Sequence, residues 1–459
     1  MKKLLVVLIL SAGARSGAQE KDSLAIRSIY DFFLTESNCY SNLEYLATRI
    51  GGRLSGSPQA AAAVEWTRKA MYEAGADTVI LQPCLVPRWV RGAPEQCVMT
   101  SGKNRKKLRC IALGSSVSSP PEGLEAQVVE VRSFEELDSL GEKAIKGKIV
   151  FYNVFFDQRR VNTGQAYGEA VKYRGGGASR AARYGAVACL VRSMTTVADD
   201  EPHTGNMNYD STISRVKIPA VALGYKSATM LHESLRKDPA LKVSLTTHCR
   251  TLPPVISYNV IGQINGSRNA GEYIIAGGHL DSWDNGQGAH DDGSGVVQSI
   301  EVLAAFRKAG IRPYRSIRAV AFMNEENGLA GGKAYADSAA RKNEIHIAAI
   351  ESDAGGFVPR GFGVDTINGL YRATAGWRHL FEPYFIDHFV RGGWGADLLA
   401  LQKPGVPCIG FLPDMQRYFD IHHSAQDTFD KINKRELELG GAAITAMVYM
   451  LDRYFPATR

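Results

Sequence analysis

The sequence predicts an α/β protein: a mixed, largely parallel central sheet flanked by helices and interrupted by an inserted α/β unit. Three observations predict it. From Val255 onward, short apolar runs alternate with helix-length segments, the pattern of a parallel sheet with crossover helices. Histidines and carboxylates gather just past the ends of those apolar runs, where open α/β sheets take up ligands. Near residue 105 the texture changes to a separate mixed α/β stretch. Thr251-Leu252-Pro253-Pro254 closes it as a predicted exit linker.

The elements follow in order. Lys2 and Lys3, the apolar run Leu4 to Leu10 and the small residues Ser16-Gly17-Ala18 form the pattern of a signal peptide over 1–18, cleaved ahead of Gln19. The run is too short to span a bilayer, and no later segment reaches that length. The expected location is therefore secreted or periplasmic. Leu43–Ile50 predicts a helix stopped by Gly51-Gly52. Pro58 suits the first turn of a second helix, Gln59–Ala74, with Gly75 as its stop. In the inserted unit, strands are expected at Gln127–Val131, Lys148–Val154, Ala186–Val191, Ile218–Leu223 and Leu241–Thr247. Helices are expected there at Ser179–Tyr184 and Ala228–Leu235. Strands resume at Ser257–Ile264, Glu272–Ala276, Ser316–Met323, Ile347–Ser352 and Val406–Leu412. Between them, Ser294–Ala309 reads as an amphipathic helix. Val296, Ile300, Leu303 and Phe306 share one face, Arg307 and Lys308 fill the last turn, and Gly310 ends it.

Composition narrows the function classes. With 459 residues, 45% hydrophobic and 22% charged, the chain builds a core without needing a metal or disulfide staple. The net charge of +7 is mild for this size. The one dense basic run, Lys103, Arg105, Lys106, Lys107 and Arg109, has no interleaved aromatics and reads as a solvated loop, not a nucleic-acid surface. The seven cysteines contain no C-x-x-C pair, which argues against a thiolate zinc knuckle. Their odd number leaves at least one without an intrachain partner, and their pairing stays open.

The chemistry lies at the strand ends. His279 and Asp281 follow one predicted strand, Glu325-Glu326 a second, Asp353 a third, and His422-His423 with Asp427 a fourth after a loop. Each segment alone has a plain structural reading. His-x-Asp is common, and Asp291-Asp292-Gly293-Ser294 could simply cap a helix. The adjacent pair Glu325-Glu326 is less ordinary, because neighbouring carboxylates repel and call for a cation. Jointly the segments offer two histidines, three carboxylates and a spare glutamate. That is a ligand set for two zinc ions without thiolate, in which a nearby Asp can orient a ligating His. A serine hydrolase fits poorly, since Gly52-Arg53-Leu54-Ser55-Gly56 follows no convincing strand and has the wrong spacing for a nucleophile elbow. Gly175-Gly176-Gly177 follows a charged helix, so it is a poor phosphate cradle.

The ordered blocks GGHLDSWDNGQGAHDDGSG, NEENG, ESDAG and HHSAQDT, with GGRLSGSPQ near the N-terminus, resemble the M28 family of metallopeptidases over nearly the whole mature chain. The resemblance implies the zinc-dependent exopeptidase fold in 19–104 and 252–459, with a protease-associated domain inserted at 105–251. It implies that His279 and Asp353 hold one zinc, Glu326 and His423 the other, and that Asp291 bridges both. Glu325 would be the general base acting on a metal-bridging hydroxide, and Asp281 would orient His279. His290 stands where other members often carry Asn or Met, and is expected to face substrate instead of metal. The implied substrate is a short peptide or dipeptide with a free N-terminus, and the implied assembly is a homodimer. Two relatives of the fold mark the alternatives: glutaminyl cyclases, which cyclise with one zinc, and receptor-like members that have lost ligands. Both halves of the site, with the bridging Asp291, are present here, which favours hydrolysis. No residue of the inserted unit matches a catalytic block, so that unit is expected to restrict access and take no part in the chemistry.

Overall fold

The computed structural model describes residues 20–393 and 395–456; the expected signal segment lies outside them. Among the described residues sixteen strands form two eight-stranded sheets. In chain order they are β1 Thr78–Val90, β2 Gln96–Ser101, β3 Asn104–Leu108, β4 Cys110–Ala112, β5 Leu124–Val131, β6 Ile149–Tyr152, β7 Ala188–Arg192 and β8 Ala220–Leu223. The second eight are β9 Lys242–Thr246, β10 Arg250–Ile264, β11 Asn269–His279, β12 Arg315–Phe322, β13 Ile345–Glu351, β14 Pro359–Val364, β15 His388–Arg391 and β16 Cys408–Pro413.

The central sheet has the order β1-β10-β12-β11-β13-β16-β14-β15. Its middle is parallel: β11 runs with β12 and β13, and β13 with β16. Antiparallel pairs flank that middle, β10 against β12 and β14 against β16. Covered on both faces, β12 is buried along its whole length, its apolar residues together with Arg315 and Arg318, which pair with Glu272 and Glu344. The Ser294–Lys308 helix buries more than its expected face, Val297, Val302 and Ala305 included. It is sandwiched between the sheet and the Lys434–Tyr454 helix, so nearly every side of it meets protein. Because β11, β12, β13 and β16 point the same way, their carboxyl ends share one edge, and the residues that follow them converge there.

The second sheet, β3-β2-β9-β5-β6-β7-β8-β4, has a parallel centre from β5 to β8 and its own core around Val128, Ile149, Phe151, Leu190 and Val221. It begins at Gln96, ahead of the texture change near 105. A long antiparallel ribbon of β1 and β10 carries the chain out to it and back.

Three local expectations differ from the structure. The predicted linker Thr251–Pro254 lies inside β10. Over this stretch β10 has only β1 as neighbour, and a register shift between Val86 and Arg88 accommodates Pro253 and Pro254 at the sheet margin. The basic run forms the exposed edge strand β3, where lysines and arginines discourage further strand pairing. The short helix foreseen at Ser179–Tyr184 is the end of a longer one, Thr163–Arg183. Its Gly177 packs against Tyr152, whose hydroxyl donates to the Gly177 carbonyl at 2.9 Å. A Cβ there would stand 2.7 Å from the ring, so the glycine serves packing despite its poor helix propensity. No described helix is long and apolar enough to cross a membrane. All seven cysteines are unpaired thiols, Cys110 being partly exposed.

Candidate metal centre

The shared strand edge brings together His279, Asp291, Glu325, Glu326, Asp353 and His423. His279 is the last residue of β11. Its Nε2 lies 3.1 Å from Asp291 Oδ1 and 3.3 Å from Asp353 Oδ1. His423 Nε2 lies 3.2 Å from Asp291 Oδ2 and 3.2 Å from Glu326 Oε2. Asp291 thus divides its two oxygens between the two imidazoles. Ligand atoms about 2.0–2.2 Å from a tetrahedral zinc stand about 3.3 Å apart, which is the spacing seen in each half.

The protonation pattern favours cations at both points. His279 Nδ1 is 2.9 Å from the Asp281 carbonyl, so it carries the ring proton and leaves the Nε2 lone pair aimed at carboxylate oxygens. Lone pairs converging on lone pairs repel unless a positive charge lies between them. Asp291 Oδ2 and Glu326 Oε1 are buried and have no hydrogen-bond partner among the described residues. Burial opposes charge on His423, yet Glu326 and Asp291 raise its pKa to about 10. Burial likewise opposes Asp291, but the His279 and His423 contacts hold its carboxyl well below the usual range. Both halves therefore draw positive charge, and the ligand atoms of His279, Asp291 and Glu326, of His279, Asp292 and Asp353, and of Asp291, His422 and His423, each within 4.8 Å of one another, form overlapping clusters able to hold two zinc ions.

The other acids divide by what they touch. Asp292 accepts from the backbone N–H of His279 at 3.0 Å and of Gly295 at 2.9 Å, so it braces the chain around the centre. Asp281 touches His279 through its carbonyl, whereas its carboxylate accepts from Asn324 N at 2.6 Å and Glu325 N at 3.0 Å. Its anchoring effect thus reaches both the histidine and the Glu325-Glu326 turn. Glu325 itself makes no ion pair among the described residues. Its desolvated position, with Asp353 and Glu326 adding like charge against His279, pushes its carboxyl well above the ordinary range. Asp427 accepts from His290 N at 2.7 Å and Asp291 N at 3.1 Å, fixing the bridging residue from behind.

His290 stacks on Phe357 at 4.2 Å, and its Nδ1 accepts from Gly356 N at 3.1 Å. Burial lowers its pKa to about 4, so it is a neutral packing residue on this geometry. His422 stacks on His423 at 3.6 Å and stands 3.6 Å from Asp291 Oδ2, outside the tighter set.

Two supports escaped the sequence reading. Arg53 is 0% exposed beneath the acids. It donates to the carbonyls of Leu280, Gln287 and Gly288, and burial lowers its pKa against the pull of Asp427 and Asp281. A buried cation without a carboxylate contact has no sequence signature. Ser55 donates to Asn327 Oδ1 at 2.8 Å and accepts from Asn324 Nδ2 at 2.8 Å. The serine of the false elbow is thus a buried tie for the NEENG turn, where Asn324 adopts a φ of +74°.

The family model described as "Peptidase family M28" matches residues 259–448. Carboxypeptidase Q of Xenopus laevis is 35% identical over 91% of this chain and 86% of its own. The crystal structure of a peptidase M28 precursor from Shewanella amazonensis superposes with a TM-score of 0.89 at 30% identity, covering 96% of this chain and 99% of the other. A zinc aminopeptidase from Bacillus subtilis shares the fold at 20% identity and a TM-score of 0.64, over 90% of this chain and 93% of its own.

Proposed function

This chain belongs to peptidase family M28, and from that premise we propose that, as a two-zinc exopeptidase, it removes the N-terminal residue from short peptides and dipeptides, with Glu325 as general base. In this reading His279 and Asp353 hold one zinc, Glu326 and His423 the other, and Asp291 both. The division of the Asp291 oxygens between the two imidazoles is the observation that carries it. Bound zinc supplies Lewis-acid charge that polarises a carbonyl and brings the pKa of a water toward about 7.

The chain's own residues supply the rest. Glu325 takes the proton shed by the attacking water and returns it to the departing amine. Burial of its carboxyl favours the protonated form, which suits a base that must also act as an acid. Asp281 holds the Glu325 backbone, and Asp427 holds that of Asp291. A free substrate amine beside one half of the centre would confine cutting to chain ends. The cavity at the centre is lined by Trp283, Asn285, Asp291, Glu326, His423 and Asp427, and a wider groove past Leu54, Pro58, Arg88 and Trp89 shares Asn285 with it, offering space for the remainder of a short peptide.

A panel of dipeptides and aminoacyl reporters, free and N-acetylated, tests the reading, with zinc content measured on the same sample. Free substrates should be cut and acetylated ones spared. Chelation should abolish turnover, and zinc should restore it. Equal turnover of blocked and free peptides would remove the N-terminal assignment, and full activity in metal-free protein would remove the metal mechanism. Export with cleavage ahead of Gln19 is part of the proposal, checked by N-terminal sequencing of the mature protein. A homodimer is checked by sedimentation.

A further inference from the structure

The inserted unit reaches into the metal centre. Its Thr163–Arg183 helix delivers Arg174, 7% exposed, and its Thr204 peptide lies against His423. Thr204 meets that histidine at two points. The Thr204 N–H donates to the His423 carbonyl at 2.9 Å, and the Thr204 carbonyl faces His423 Nδ1 at 3.4 Å. Arg174 holds the same peptide: Nη1 donates to Thr204 O at 3.3 Å, and Nη2 donates to the Tyr167 hydroxyl at 2.7 Å.

The fit leaves no spare room. Gly205 has a φ of +130°, and a Cβ there would stand 2.4 Å from the Arg174 guanidinium and 2.6 Å from His423 Nδ1. His423 itself has a φ of +61°, an uncommon conformation for a residue with a side chain, which persists where surroundings impose it. The tautomer is set by what Nε2 binds: with zinc at Nε2 the ring proton sits on Nδ1, where Thr204 O at 3.4 Å accepts it, and Arg174 Nη1, 3.3 Å from the same nitrogen, then donates to Thr204 O alone. A ring donating from Nδ1 to Thr204 O keeps the Nε2 lone pair free for metal.

We propose that the inserted unit is a working part of the zinc centre: the Thr204 peptide, held by Arg174, clamps His423 so that its Nε2 faces the zinc shared with Glu326 and Asp291. This rests on the two-zinc reading above. Arg174 acts as a positioning residue, and the inserted unit contributes to the centre in addition to any control of access.

The test is zinc retention in the full-length protein, titrated with a chelator and read as zinc equivalents per chain. Wild type should hold two. Arg174→Met keeps an unbranched apolar stem but loses the guanidinium with both donors. It should release one equivalent at a free-zinc level 10–100-fold higher than wild type, the cost usual for losing an outer partner of a ligand. The other equivalent should stay put. Arg174→Lys should recover part of the loss, and Gly205→Ala should cause the same one-sided release. KM should hardly move while kcat follows occupancy. The melting temperature of the metal-free protein should match wild type for Arg174→Met, and exposed Arg183→Met on the same helix should behave as wild type throughout. Retention of both zincs in Arg174→Met and Gly205→Ala, or release of both together, overturns the clamp. A raised KM at full occupancy would make Arg174 a substrate-binding group instead. Wild type holding fewer than two zincs would overturn the two-zinc reading itself, whatever Arg174 does.

Discussion

His279 ends a central strand, and its Nδ1 is held by a carbonyl two residues away. His423 lies in a loop with positive φ, and its Nδ1 faces a carbonyl 219 residues away in the inserted unit. Each has a buried arginine behind it. Arg53 donates to Leu280 O beside His279, and Arg174 donates to Thr204 O beside His423. Similar ligand chemistry is therefore supported in two ways. One half inherits its order from the sheet, and the other depends on a contact between two folded units. The difference teaches that a strand end can orient a ligand by itself, whereas a loop needs support from outside.

The largest expected effect lies where the halves meet. Glu325→Gln keeps shape but removes the base, and kcat should fall by ~10²–10⁴, roughly 3–5 kcal/mol of barrier. Zinc content should hold. Glu326→Gln should instead lose zinc from the His423 half, and activity with it. Zinc loss in Glu325→Gln with retention in Glu326→Gln would shift the assignment by one residue and undo the division into halves.

Arg53→Met sharpens the contrast between the two arginines. It strips the carbonyls of Gly51, Leu280, Gln287 and Gly288 of their donor and leaves Asp427, Asp281 and Asp292 without a buried cation. Removing one member of a buried charge cluster costs about 3–5 kcal/mol. The melting temperature of the metal-free protein should drop accordingly, whereas Arg174→Met should leave it in place. If the two variants melted alike, the sheet half and the loop half would share one support.

The smallest effect tests whether burial alone accounts for the cost of these acids. Glu301 is buried far from the proposed ligands and accepts from Asn38 N at 3.2 Å. Burial raises its pKa from 4.5 to about 7. Below pH 4.5 both folded and unfolded chains carry the proton, so there is no penalty. As pH rises through about 7 the folded state must ionise a buried group, and stability is lost. Glu301→Gln should therefore gain up to about 3 kcal/mol at pH 8 and nothing at pH 4, with zinc content unchanged. A gain that does not vary with pH would show that packing, not charge, sets the difference.

Much of this was legible in the sequence because it is local. Apolar runs marked β11, β12, β13 and β16, and parallel order placed His279, Glu325, Glu326 and Asp353 at one edge. A one-residue pattern could not distinguish the carbonyl of Asp281 from its carboxylate as the contact of His279, since both occupy the same position in the chain. Nor could it foresee that Pro253 and Pro254 would be tolerated inside β10, because only the pairing shows that one margin of that strand is free.

The sequence by itself determined the α/β fold class, the candidate ligand set and the family, through apolar periodicity and short blocks whose chemistry is written in neighbouring residues. Tertiary structure alone decided that Arg53 lies beneath the acids and that Thr204 and Arg174 grip His423. The physical reason is distance along the chain. These contacts join residues 219 to 249 positions apart, and no local period or propensity records which backbone carbonyl a distant histidine will meet.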